Sequence, residues 1–406
     1  MTTLSGVRVL DLSRVFSGPW AAQMLADFGA DVIKVERPGR GDDVRQQGLR
    51  AKDAAGNETR ETSSFLAMNR GKRSITVDMS QPEGQQLLRE LAMQSDILIE
   101  NFKAGDLVRY GLDFASLKAL NPRLVYCSIS GFGQTGPYAH LPGYDPLFQS
   151  MSGLMSITGH ADGEPGGGPM RVGFSVGDIT AGFYAVSAIL AALRHRDMVS
   201  GEGQHIDLAL LDAQVAAISH VAQMYLVSGK QPPRLGNASP ITCPWQSFDC
   251  TDGQIVVAVG NDTQFKAFCQ VLDLPDLPGD ERFATNPQRA RHRLELVPQL
   301  AARLATRPVA EWQEAFDAAG VPTGPVNGFK EVFEDPQIRH REMLVHLPHS
   351  QIGEVPLVAN PVRFSATPVQ YGNAAPLLGE HTDEVLAELL GCDAEKLAGL
   401  RAAKVI

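Results

Sequence analysis

Cysteine is scarce in this chain and carries no pattern. Its five cysteines, Cys127, Cys243, Cys250, Cys269 and Cys392, are an odd number at irregular spacing, with no CxxC pair. That excludes a disulfide-stapled scaffold and gives no zinc or redox motif, leaving reduced thiols as the plain reading. Positive charge is also in short supply: 36 Lys and Arg stand against 46 Asp and Glu, for a net charge of −10. Nucleic acid and anionic membranes need a broad basic field, so neither is the expected partner. The opening MTTLSGVRVLDLS has neither a basic segment followed by an apolar core nor an Arg-rich amphipathic form, so the expectation is an unexported, cytoplasmic protein. The longest near-apolar stretch, Phe183 to Leu193, falls short of the roughly 20 residues that cross a bilayer. HExxH and P-loop signatures are missing, which leaves no expected metal site and no NTPase signature.

What is present is a large apolar fraction, 44%, with 20% charged residues over a length of 406. These suit a folded chain of two or three domains. The first 130 residues repeat a short β-branched run, a turn and an amphipathic stretch. Val7–Leu12, Val32–Glu36, Ser74–Met79, Ile97–Glu100 and Leu124–Ser130 read as strands, with helices at Pro19–Phe28 and Pro82–Gln94. Near-continuous apolar strands alternating with helices imply an α/β fold, a Rossmann-like parallel sheet covered on both faces. From Gly131 to Val176 the chain is rich in glycine and proline, as functional loop regions are. Two apolar helices, Ile179–Arg196 and Gln204–Val227, should follow, buried in a core or a subunit interface. A Pro-rich link then leads to a strand at Gln254–Val259 and helices at Asp262–Leu272, Arg289–Leu304 and Val309–Ala319. The expected organisation is a large domain over 1–228, a smaller α+β domain with its linker over 229–332, and a largely extended return segment, 333–406, ending in a helix at Thr382–Leu390 and completing the large domain.

Gly131 to Gly136 matches G-x-G-x-x-G, but Pro137 follows where a dinucleotide site needs a helix N-terminus. His340, His346 and His349 lack metal-ligand spacing and read as a solvated cluster. Asp178 is more informative. It stands in RVGFSVGD just before the apolar helix, where Asp commonly caps a helix. The same place favours an ionised carboxylate, and Gly177 leaves room for a substrate to approach. Arg37 and Arg109 follow expected strands, as phosphate-binding cations do at the carboxyl ends of parallel strands. Lys72 and Arg73 precede their strand and fit less well. Each of these four also suits an ordinary solvated surface.

Together these segments resemble the class III coenzyme A transferases, the family that includes formyl-CoA transferase, carnitine CoA-transferase and succinyl-CoA:dicarboxylate CoA-transferases. The likeness rests on VRVLDLSRVFSGPWAAQMLADFGADVIKVERPGRGDDVR, MNRGKRSITVDM, DILIENFKAGDLVRYGLD, ISGFGQTGPYAHLPGYDPLFQSMSGLM, RVGFSVGDITAGFYAVSAILAALRHRD, SGEGQHIDLALLDA, DERFATNPQRARHR and LGEHTDEVL, in that order along nearly the whole chain. The resemblance implies an inserted smaller domain and an interlocked homodimer. It makes Asp178 the nucleophile. It assigns Phe16, Ser17, Arg37, Val77, Asp78, Met79, Ser80, Asn101, Phe102 and Arg109 to the CoA site, and puts Tyr144 and Asp145 near the thioester. Coenzyme A would enter as a substrate, with no permanently bound cofactor. With an ordinary aspartate pKa near 3.9, roughly 99.9% of Asp178 would be carboxylate at pH 7 and no general base would be needed. Backbone N–H groups at Gly177 and around Asn237 are the expected oxyanion donors.

Two departures narrow the reading. Racemases of the same superfamily move a proton and need an acid/base pair, with a His at the place that Tyr144 holds here. A racemase and a non-catalytic CoA-binding protein remain the alternatives. Formyl-CoA transferases carry a glycine run where this chain reads LGNASP from Leu235 to Pro240, and a glutamine where it has Phe16. The second domain is closer in style to the dicarboxylate branch, in which succinyl-CoA is the donor and acids such as glutarate accept.

Overall fold

The computed structural model describes residues 2–406. Six strands build one sheet: β1 (Arg8–Asp11), β2 (Asp31–Glu36), β3 (Lys72–Thr76), β4 (Ile97–Glu100), β5 (Val125–Ser130) and β6 (His205–Ala209). Every pairing is parallel, with Val9 opposite both Val32 and Ile97. The spatial order is β3-β2-β1-β4-β5-β6, the arrangement of doubly wound nucleotide-binding sheets, whose switch point lies between β1 and β4.

Side chains alternate between the faces at period two. Val9, Val32, Ile97 and Val125 enter one core with Ala21, Leu25, Ala181, Ala185 and Ile189 from two helices, Ser17–Asp27 and Val176–His195. Leu10, Ile33, Leu98 and Tyr126 enter the other, under Leu87, Leu88 and Leu91 of helix Pro82–Met93 and Val385, Leu386 and Leu397 near the C-terminus. The sheet is therefore apolar on both sides, as parallel sheets are. Residues 2–152, 172–219 and 336–406 form one compact unit.

The second unit comprises 153–171 and 220–335. It holds a three-stranded antiparallel sheet of Trp245–Asp249, Gln254–Ala258 and Thr323–Pro325. Helices Asp262–Val271, Arg293–Leu304 and Val309–Ala318 supply Phe265, Phe268, Leu296, Leu300, Trp312 and Phe316 to its own core.

Four expectations need correction. Gln204–Val227 is not one helix: it opens as strand β6, then forms helices Leu210–Ala217 and Ser219–Ser228, bent by 73°. Ile206 and Leu208 alternate with outward neighbours and pair with β5, a period-two signal hidden in a generally apolar run. The apolar helix before it is longer than expected. With its terminal π turn it runs from Val176 to Ser200, and by length and composition it would suffice to cross a membrane. Here Gly177, Ala181, Ala185, Ile189 and Ala192 line a stripe buried in the protein core. The return segment holds helices beyond the one expected, Pro336–His340 at its start and Ala394–Ala402 after Thr382–Leu390, while its extended part pairs as a hairpin of Leu344–His349 and Gly353–Val358. His349 is buried in that hairpin, where its Nδ1 accepts the amides of Gln351 and Ile352 at 3.1 Å each, so it is not solvated.

Candidate active site

The loop leaving β1 is held from below by buried charge. Lys34 Nζ lies 2.8 Å from Asp42 Oδ2, and both side chains are fully buried. Asp42 Oδ1 accepts the Val15 amide at 3.0 Å. Beyond the switch point, Asn101 grips Arg14 at both ends of its peptide: Arg14 N donates to Asn101 Oδ1 at 2.8 Å and Asn101 Nδ2 donates to Arg14 O at 2.6 Å. Between these anchors Val15 sits at φ +69°, a left-handed conformation that a β-branched residue adopts only when its surroundings enforce it. The loop feeds directly into helix Ser17–Asp27, whose first N–H groups have no partner within the helix.

The first of these, the Ser17 amide, faces Asp178 together with the Ser17 hydroxyl. Asp178 is the third residue of helix Val176–His195, whose N-cap is Ser175, so it is not the cap. Capping falls to Asp145, a buried residue whose Oδ1 accepts the Gly177 amide at 2.7 Å while Oδ2 accepts Gln149 Nε2 at 2.5 Å. Gln149 Oε1 in turn accepts the Val172 amide at 2.8 Å and so ties down the approach to the helix. A Cβ on Gly177 would overlap the Gln214 amide nitrogen and reach 2.8 Å from Asp145 Oδ1, which is why the position is glycine. The Gly177 amide is thus spent on Asp145 and does not serve an oxyanion. Asn237 belongs to the other unit, where its Nδ2 donates to Ser247 Oγ at 2.7 Å.

Burial, followed by the neighbouring Asp145 charge, pushes the Asp178 carboxyl up to about 7 despite opposing hydrogen bonds from the Ser17 hydroxyl and amide. The helix N-terminus alone would favour ionisation. Desolvation and a like charge outweigh it. Near pH 7 the unliganded site therefore holds a mixture of acid and carboxylate, rather than an almost fully ionised group.

Two cavities meet at the carboxyl ends of the strands. One, of about 420 Å³, is walled by Arg37, Val77, Asp78, Met79, Ser80, Phe102 and Arg109. The other, of about 270 Å³, is walled by Ser17, Asn101, Phe102, Tyr144 and Asp178. Arg14, Asp43, Phe102 and Asp106 border both, so the cavities are contiguous. Phe16 and Asp145 border neither: Phe16 caps its helix and Asp145 lies beneath the surface. Lys72 and Arg73 open β3, at the opposite end of the sheet. Lys72 Nζ pairs with Asp11 at 2.9 Å, and Arg73 pairs with Asp31 and Glu388 at 2.7 and 2.6 Å. After Gly136 no helix opens until Asp145, so the glycine motif has no pyrophosphate-binding helix behind it. Sequence reasoning passed over Arg14 and Asp42. Arg14 follows β1 as Arg37 follows β2, a signal available in the sequence, whereas Asp42 joins the site only through Lys34 and the fold.

The comparisons agree with this geometry. Residues 4–382 match the model of CoA-transferase family III. Succinate–glutarate CoA-transferase of Agrobacterium fabrum is 48% identical, over 95% of each chain. Succinyl-CoA:glutarate CoA-transferase of Mus musculus is 40% identical, over 100% of this chain and 91% of its own. The crystal structure of a CAIB/BAIF family protein from Brucella suis superposes with a TM-score of 0.85 at 43% identity, covering 96% of this chain and 99% of that one. A sheet with its switch point at two joined cavities, an aspartate at the end of one of them and these whole-length matches lead to one statement: the chain belongs to CoA-transferase family III.

Proposed function

We propose that the protein transfers coenzyme A from succinyl-CoA to a dicarboxylate such as glutarate, with Asp178 as the nucleophile. The observation that carries the mechanism is the Asp178 carboxyl at the wall of a cavity contiguous with the basic one around Arg37 and Arg109. The names of the relatives support the choice of acids. An Asp178 oxygen attacks the thioester carbonyl, the C–S bond breaks and CoA leaves as thiolate, producing an aspartyl-acyl anhydride. The thiolate then attacks the aspartyl carbonyl, releasing the first acid and forming an aspartyl-CoA thioester. The acceptor carboxylate attacks that thioester, and the freed thiolate takes the new acyl group and restores Asp178. The Ser17 amide and hydroxyl, which already favour negative charge at Asp178, are the donors assigned to the oxyanions that form on its carboxyl carbon. Among the described residues no histidine borders either cavity, which leaves racemase chemistry without its partner base.

Asp178→Asn and Asp178→Ala should lower turnover by about 10⁴-fold or more, as loss of a covalent nucleophile does. Thermal melts should stay intact. Hydroxylamine added to enzyme preincubated with succinyl-CoA should modify Asp178. Full transferase activity in the alanine variant, or modification of another residue, overturns the mechanism.

The reading extends to domain roles, assembly and place in the cell. The unit of residues 2–152, 172–219 and 336–406 binds CoA, and 153–171 with 220–335 form the smaller domain. Two chains interlock, and the enzyme works in the cytoplasm, in keeping with five free thiols. The assembly is supported by what one chain leaves open. Helix Ser219–Ser228 buries none of its residues, and Leu226 and Val227 are 71% and 79% exposed. An apolar cavity of about 710 Å³ is bordered by Trp20, Met24, Phe183, Val355 and Leu357. Trp20 Nε1 is buried with no hydrogen-bond partner among the described residues.

A further inference from the structure

A dicarboxylate presents a second carboxylate a few carbons from its reacting carbonyl, and a site that selects such acids needs a cation to receive it. Among the described residues bordering the Asp178 cavity only two are basic, Arg14 and Lys103. They differ in how firmly they are held. Both are exposed, and Lys103 carries its ammonium on a flexible stem. Arg14 has its peptide clamped on both sides by Asn101 and is followed by the strained Val15, itself tied to Asp42. Its guanidinium lies over the Phe102 ring, 4.7 Å from the centroid. Its ion partner is Asp43, at a long 3.8 Å. The side chain is thus aimed by its backbone and its stacking, with most of its hydrogen-bonding capacity unspent. Its planar fork matches a carboxylate in a way that an ammonium does not.

Building on the proposed transfer between dicarboxylates, we infer that Arg14 binds the free carboxylate of the acyl chain and so determines the preference for dicarboxylic over monocarboxylic substrates. Arg14 also borders the basic cavity, so a contact with a CoA phosphate is the competing role, and the two roles predict different patterns. A cation paired with the free carboxylate acts on dicarboxylates alone. A cation on a CoA phosphate acts on every acyl-CoA alike.

The test measures kcat/KM for wild type, Arg14→Gln and Arg14→Lys with two acceptors of similar length, glutarate and pentanoate, at saturating succinyl-CoA, and with succinyl-CoA against butyryl-CoA as donors at fixed acetate. The ratio of dicarboxylate to monocarboxylate efficiency should fall about 10- to 100-fold in Arg14→Gln, the size expected for a lost charged hydrogen bond. Most of the change should appear in KM, and Arg14→Lys should recover part of it. Equal losses for both acid classes, or an unchanged ratio in the glutamine variant, overturn the inference. Wild-type enzyme that transfers CoA to neither acid would instead overturn the transferase reading on which the inference rests.

Discussion

At the scale of single residues, the proposed chemistry gives two carboxylates different work. Asp145 is consumed by structure: it accepts the Gly177 amide and is gripped by Gln149. Asp178 is the proposed nucleophile, and its carboxyl is raised to about 7 by burial and then by Asp145. Activity that needs the carboxylate should therefore rise with pH, with an acidic limb in kcat/KM centred near 7. Asp145→Asn keeps an oxygen for Gly177 but removes the like charge, so the limb should move to lower pH. A limb that stays in place would deny the coupling. Stability carries the opposite sign. A carboxyl whose folded pKa lies above its unfolded value binds its proton more tightly in the native state, so its contribution is full below about 3.8 and lost as pH rises through about 7. Asp178→Asn should accordingly flatten the fall in melting temperature across that window.

At the scale of elements, the proposed catalysis depends on how closely two helices approach. Ser17 opens one helix and Asp178 stands in the first turn of the other, and Gly182 lets them touch: a Cβ there would reach 2.8 Å from Trp20 Cδ1 and 3.2 Å from Ser17 O. Gly182→Val should cost about 1–3 kcal/mol of stability through overpacking. It should also lower kcat by separating Ser17 from Asp178, while KM for CoA changes little because Arg37 and Arg109 follow β2 and precede Gly111 on separate segments. Urea midpoints and steady-state kinetics on the same preparation would show both effects. Strands whose two faces are both apolar were plain to read, with Ile97–Glu100 recovered to the residue. Strand β6 was not, because it is an edge strand with one partner and a mostly half-buried pattern, embedded in residues that also suit a helix.

At the scale of the whole molecule, the proposed assembly rests on the apolar surface that a single chain leaves uncovered. The unburied helix Ser219–Ser228 and the cavity beside Trp20 and Phe183 both ask for a partner. Light scattering behind size exclusion should find a particle of two 43.7 kDa chains that persists on dilution. A monomer at working concentrations would overturn the proposed assembly. Leu226→Glu with Val227→Glu should reduce soluble yield, or release monomer, if that helix is covered in the dimer.

The amino-acid order alone determined the class of fold, most of the strands and helices, and the aspartate at the head of the long apolar helix, since each of these follows from local periodicity and from the residue types that turns and helix starts require. Only the tertiary structure decided which charges are buried, which are paired and which line a cavity. Burial and a neighbour's charge, neither visible along the chain, raise Asp178 and assign Asp145 to capping. Likewise Lys72 and Arg73 look much like Arg37 and Arg109 in sequence, yet a parallel sheet has two ends: Lys72 and Arg73 start from the amino end, where Arg73 pairs with Asp31 while Lys72 reaches along the sheet to the buried Asp11, and Arg37 and Arg109 are left to line a cavity at the carboxyl end.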